Sequence, residues 1–209
     1  MFAKVTDNNI QIIPTLPTSY TFEDGSKTGG FNLLDADIIR GEGYYPVVDV
    51  KPDFNALTET LVVSDISVDG DNVVRTYQAQ PIDLQVLKER KYRDIIQEEE
   101  ALLANSFFLF NGNVFRLSLQ SVNDATQLQA AIAVSSFPSN FSWTDVYGNE
   151  VPMNEAEFTA FGATLAGQKL NIVGVSKYHR AVVKSLTNAM DVVNYDYSQG
   201  WNNYTLPDN

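Results

Sequence analysis

The chain has 209 residues, with 14 Lys and Arg against 26 Asp and Glu and a formal net charge of −12. It holds no cysteine and one histidine, which excludes disulfides, thiolate nucleophiles and cysteine-held metal centres and leaves any His-dependent triad to His179. The acidic balance argues against nucleic acid or an anionic membrane as the main partner, while 44% hydrophobic and 11% aromatic residues describe a chain that folds.

The first 81 residues carry a strand-like pattern. Ile10, Ile12 and Ile13 form a short apolar run that stops at Pro14 and Pro17. Asp24-Gly25 and Gly29-Gly30 mark a loop, and Tyr44 to Val50 reads as a strand that ends at Lys51-Pro52. Leu61 to Val68 and Val73 to Tyr77 flank Asp69-Gly70 and predict a hairpin. Residues 1–81 are therefore expected to form a small, largely antiparallel β domain with long loops.

At Pro81 the hydrophobic period changes. Pro81 or Ile82 can open a helix over residues 82–105, with Asp83 at its positive end and Asn105 as its stop. Leu84, Leu87, Ile95, Leu102 and Leu103 lie on one narrow stripe, so this linking helix is expected to pack on one side only, or against a copy of itself.

Residues 106–190 predict a module of two hairpins with helices. Asn111-Gly112 between Phe107–Phe110 and Asn113–Leu117 is a strong turn signal. Asn123 or Asp124 is expected to cap a short helix that Pro138 ends. Phe141–Thr144 and Glu150–Met153 form the second hairpin, turning at Tyr147-Gly148-Asn149. Asn154 with Glu157 is a capping box. Beyond it, apolar residues from Phe158 to Met190 recur at helical spacing. Gly162, Gly167 and Gly174 within that run predict close helix packing or a break near Gly174. The fold class is thus α+β.

Residues 191–209 read as a non-helical aromatic extension carrying Tyr195, Tyr197, Trp201 and Tyr204. Either these rings fold back onto their own domain or they dock on a neighbouring subunit. They are the candidate partner-binding residues, because Tyr and Trp supply much interface energy.

No catalytic, cofactor-binding or metal-binding residues are assigned. His179 lies among Lys169, Lys177, Arg180 and Lys184 with no carboxylate close in sequence to orient it, and is expected on a solvated helix face. Asp65 to Asp71 begins like a calcium loop, but Thr76 stands where a bidentate Glu is needed. Asp35, Asp37 and Glu42 read as a solvated acidic loop. Glu98, Glu99 and Glu100 point about 100° apart on a helix and cannot share a substrate. Asn123 to Thr144, sparsely charged, is too polar to span a bilayer, so no membrane insertion is expected. Met1-Phe2-Ala3-Lys4 meets polar residues at once, so no signal-peptide core and folding in a cytoplasm are expected.

Two stretches resemble known proteins. Gly43 to Val48, Lys51 to Phe54 and Val73 to Tyr77 resemble the amino-terminal segment of small tailed-phage proteins. The second stretch is longer. It runs from the helix with Lys91 and Arg93 through the Phe110–Phe115 hairpin, the Gln127–Ala133 helix and Phe141-Ser142-Trp143 with Tyr147-Gly148-Asn149 to Val151–Asn154. It is similar to a domain of unknown function at the carboxyl end of phage tail-fibre and tail-associated proteins. The resemblance implies a non-enzymatic part of a tail fibre or baseplate, present in the virion and made in the host cytoplasm. It implies contacts with other phage tail proteins and a homo-oligomer, commonly a trimer. It carries no catalytic residue or cofactor. A fibre-assembly chaperone, absent from the mature particle, is the alternative.

Overall fold

The structure, a computed structural model, describes residues 1–7 and 9–201. The fold is α+β, and the chain divides into two compact units, Met1–Ile82 and the part from Asp83 onward.

The first unit is built on a five-stranded sheet of order β2-β1-β5-β7-β6, made by β1 (Phe2–Thr6), β2 (Asn9–Ile13), β5 (Tyr44–Val50), β6 (Glu59–Asp69) and β7 (Asn72–Pro81). Every pairing in it is antiparallel except β5 with β7, which is parallel. The expected β6–β7 hairpin forms around Gly70, at positive φ, with a bulge between Val63 and Asp65. Proline in a central strand costs a ladder bond. Here β1 pairs Tyr44–Pro46 and β7 pairs Val47–Val50, so Pro46 stands where one neighbour hands over to the other. β1 itself had no clear sequence signal.

A two-stranded ribbon, β3 (Tyr20–Thr21) with β4 (Lys27–Thr28), and a 3₁₀ turn at Phe31–Leu33 bring rings onto the sheet. Phe31, fully buried, stacks on Tyr20 at 4.5 Å between centroids and meets Tyr44 edge-on at 5.2 Å. The acidic stretch expected to be a loop is instead α1 (Ala36–Gly41). Asp35 is its N-cap residue, Asp37 lies in its first turn and pairs with Arg40, and Glu42 is its C-cap residue. Carboxylates suit a helix N-terminus, which explains the two aspartates. Gly43 must be glycine: its φ is +76°, and a Cβ there would stand 2.5 Å from the Val5 carbonyl oxygen.

The second unit opens with α2 (Leu84–Asn105). It starts later than expected, because Asp83 is its N-cap and accepts the Gln85 N–H at 2.6 Å. Its stripe buries Leu87, Ile95 and Leu103. It packs against α4 (Glu155–Ser185) and α5 (Ala189–Asn194), in agreement with a helix packed on one side.

The β8 (Ser106–Phe110) and β9 (Asn113–Leu117) hairpin turns at Asn111 and Gly112, with φ of 48° and 80°, as the Asn-Gly signal requires. The next helix, α3 (Leu119–Ile132), begins earlier than expected. Ser118 caps it by accepting the Ser121 N–H at 3.0 Å, so Asn123 and Asp124 lie inside it. It ends at Ile132, well before Pro138.

β10 (Ser142–Thr144) and β11 (Glu150–Pro152) form the second expected hairpin. α4 carries the full capping box of Asn154 and Glu157, and it runs unbroken through Gly174. Its amino-terminal half buries Phe158, Phe161 and Leu165 against Phe108, Phe115 and Leu117 of the first hairpin. Trp143, Phe137 and Phe141 close the same aromatic core. Gly162 does mark close packing, since a Cβ there would meet the Gln129 amide of α3.

Candidate functional site

The aromatic extension is not a free arm over its described residues. Asp191–Asn194 belong to α5, whose N-cap Asn188 accepts the Met190 and Asp191 N–H groups. The Lys91 ammonium donates to the Val193 and Tyr195 carbonyls at 2.9 and 3.2 Å, meeting the negative end of this short helix. Past it the chain turns back onto α4. Tyr195, Tyr197 and Trp201 are all half-buried against their own unit. Tyr204 lies outside the described residues.

His179 organises this return. It is buried rather than solvated, because it shares a face of α4 with Ile172, Ser176 and Val183. Its Nε2 lies 2.9 Å from the Gln199 carbonyl oxygen, which can only accept, so Nε2 carries the proton. Nδ1 then accepts from the Tyr195 hydroxyl at 2.7 Å. The Trp201 indole lies 5.6 Å from the imidazole and donates to the Tyr197 carbonyl at 2.7 Å.

Burial, and then the nearby Tyr178 and Asp196, push the Tyr195 phenol up. Burial likewise raises Tyr197, helped by Asp94 and Glu98. Both groups are thus held neutral, as hydrogen-bonding and packing groups. Both imidazole nitrogens are hydrogen-bonded within the chain, so the ring clasps the returning segment onto α4. The spacing 172, 176, 179, 183 was the signal that could have placed His179 inside.

A second region could have hosted acid–base chemistry. A cleft of about 750 Å³ is lined by Phe137, Phe141, Met153, Glu150, Glu155 and Glu157 among others. Hydrogen bonds from Ser142 and Thr144 hold the Glu150 carboxyl below its usual range. A general acid needs the opposite shift. Glu157 is engaged by the capping box, accepting the Asn154 N–H at 2.9 Å. Asp145, which the sequence did not single out, shapes the β10–β11 turn. Its carboxylate accepts the Asn149 side chain at 3.0 Å and the Asn149 and Tyr147 N–H groups at 2.8 and 2.9 Å, bonds that lower its pKa.

Among the described residues no three His, Asp or Glu side chains are placed to hold a metal ion. No helix among them is long and apolar enough to cross a membrane.

The prominent free surface is the outer side of α4. Leu170 and Tyr178 are 70% and 65% exposed there, and Gly167 and Gly174 have open space above them. A closed aromatic core and an exposed outer face of α4 thus characterise this unit. The chain belongs to the family described as domain of unknown function DUF4376, whose model matches residues 86–199, just over half of the chain. No curated protein and no solved structure matches it.

Proposed function

We propose that this chain is a non-enzymatic structural part of a bacteriophage tail, at the fibre or baseplate, which connects neighbouring subunits and itself self-associates. The succession of elements across residues 86–199 carries this reading. A helix, an Asn-Gly aromatic hairpin, a helix, a Trp hairpin and a box-capped helix occur there in the order on which the resemblance to tail-associated proteins rests. A rigid body of this kind suits assembly, since its core is closed by its own rings and its outer helix face stays open. The net charge of −12 keeps such a part soluble before it docks.

Mass spectrometry of purified virions from the phage that encodes the chain tests the proposal. The chain is expected in the particle in a fixed ratio to the other tail proteins. Its absence from particles, with its presence in infected cells, would replace this role with that of an assembly chaperone. Release of sugars from host-surface polysaccharide by the purified protein would overturn the non-enzymatic part.

A further inference from the structure

Glycine is disfavoured inside a helix, and it is kept where something must come close. In α4, Gly162 has such a reason inside the unit, the Gln129 side chain. Gly167 and Gly174 show none among the described residues: outside their own helix backbone, no heavy atom there lies within 4 Å of where their Cβ atoms would stand. With Ala163, Leu170, Tyr178 and Ala181 they form one exposed face along the helix. The spacing of these residues follows the helical repeat, so they lie in a continuous stripe. Its charges are segregated, with Glu155 near the amino end and Lys177 and Lys184 in the carboxyl half.

We propose that this face of α4 binds the same face of a second copy of the chain, antiparallel, about a two-fold axis passing between Leu170 and Asn171.

Two observations select that occupant. The first is size. About such an axis Gly167 of each copy faces Gly174 of the other, and Ala163 faces Tyr178. Glycines meet at the crossing and a small side chain meets a large one, the arrangement that lets helices approach closely. The second is charge. The antiparallel copy brings Glu155 within about one turn of the other copy's Lys184. A parallel pair or trimer would instead set Lys177 against Lys177 and Lys184 against Lys184.

A helix of 31 residues is about 46 Å long, so a stripe roughly 10 Å wide buries about 900 Å² over both copies. That area lies at the weak, reversible end of specific interfaces. The inference needs only this helix face, and it stands or falls apart from any role in a phage tail.

Sedimentation equilibrium of the full chain is the first test, expected to show a concentration-dependent rise from one chain mass to two. Gly167→Leu with Gly174→Leu should weaken the dimer roughly tenfold or more, because the added side chains hold the helices apart. The dilute variant should melt no lower than the parent, since both positions face open space among the described residues. The native chain lacks cysteine, so introduced thiols report geometry cleanly. A mixture of the Ala163→Cys and Tyr178→Cys chains should form the mixed disulfide, and Ala163→Cys alone should not cross-link. A monomer at all concentrations, a trimer, self-linking of the Ala163→Cys chain, or an unaffected dimer in the double leucine variant would each overturn the proposal.

Discussion

The two units solve the same problem differently. In the first, few of the described apolar side chains are buried: Ala3, Phe31, Ile39 and Val73. Val48, Val50, Val63 and Val68 remain nearly half exposed on its sheet. Strand pairing and backbone geometry carry much of its order. In the second, Phe108, Phe115, Phe158 and Phe161 are buried in one cluster closed by Trp143. There side-chain packing carries it. The first unit should therefore be most sensitive at backbone positions, and the second at its rings. Both tryptophans, Trp143 and Trp201, lie in the second unit, so indole fluorescence follows that unit alone.

The largest effect is expected from Phe161→Ala. Its ring meets those of Phe108, Phe110, Phe115, Trp143 and Phe158. Removing it should cost about 3–5 kcal/mol, read as a lower urea midpoint by indole fluorescence. A loss below about 1 kcal/mol would show that the ring cluster is not what holds the unit.

Gly43→Ala comes next. It forces a side chain into the left-handed region and against the Val5 carbonyl. Strain of about 1–3 kcal/mol is expected, visible as faster hydrogen exchange in β1 and β5. Unchanged exchange would remove the contrast drawn for the first unit.

Asn154→Ala should cost about 1 kcal/mol, through loss of its bond from the Glu157 N–H. Gly167→Ala should raise the thermal midpoint of the second unit by up to about 1 kcal/mol equivalent. Gly162→Ala should forgo most of that gain, because it meets Gln129. Equal gains at both glycines would mean that Gly162 is not kept by packing.

The smallest effect is a pH dependence in the first unit. Burial first, then Glu42, pushes the Tyr20 phenol up to about 12. The neutral phenol is the form the fold favours. Its contribution is complete below the ordinary value near 10 and is lost as pH rises through about 12. Phenolate absorbance should therefore show several tyrosines titrating late, and Tyr20→Phe should remove the latest of them.

Local signals were legible in the sequence. Asn111-Gly112, Asp69-Gly70 and the Asn154–Glu157 box each act within four residues, and each forms as its chemistry requires. The features that escaped depend on distant partners. β1 gains its place only by pairing with β2 and β5, and β5 meets β7 in parallel across an intervening strand. The α3 start was misplaced because Ser118 directly follows a strand, where Asn123 looked like the better cap. His179 looked solvated because its partners, Tyr195 and Gln199, come from a returning segment. The outer face of α4 was hidden for the opposite reason, since Gly167 and Gly174 meet no other element among the described residues.

The central claim is that the carboxyl-terminal aromatics seal their own unit and leave contact-making to rigid surfaces. Ending the chain at Asn194 tests it most directly, with the melt of the second unit followed by the fluorescence of Trp143. Loss of the Tyr195–His179–Gln199 clasp and of the Trp201 ring should lower the melting temperature well below that of the full chain. An unchanged melting temperature, with assembly lost, would contradict the account and return those rings to the role of a docking arm.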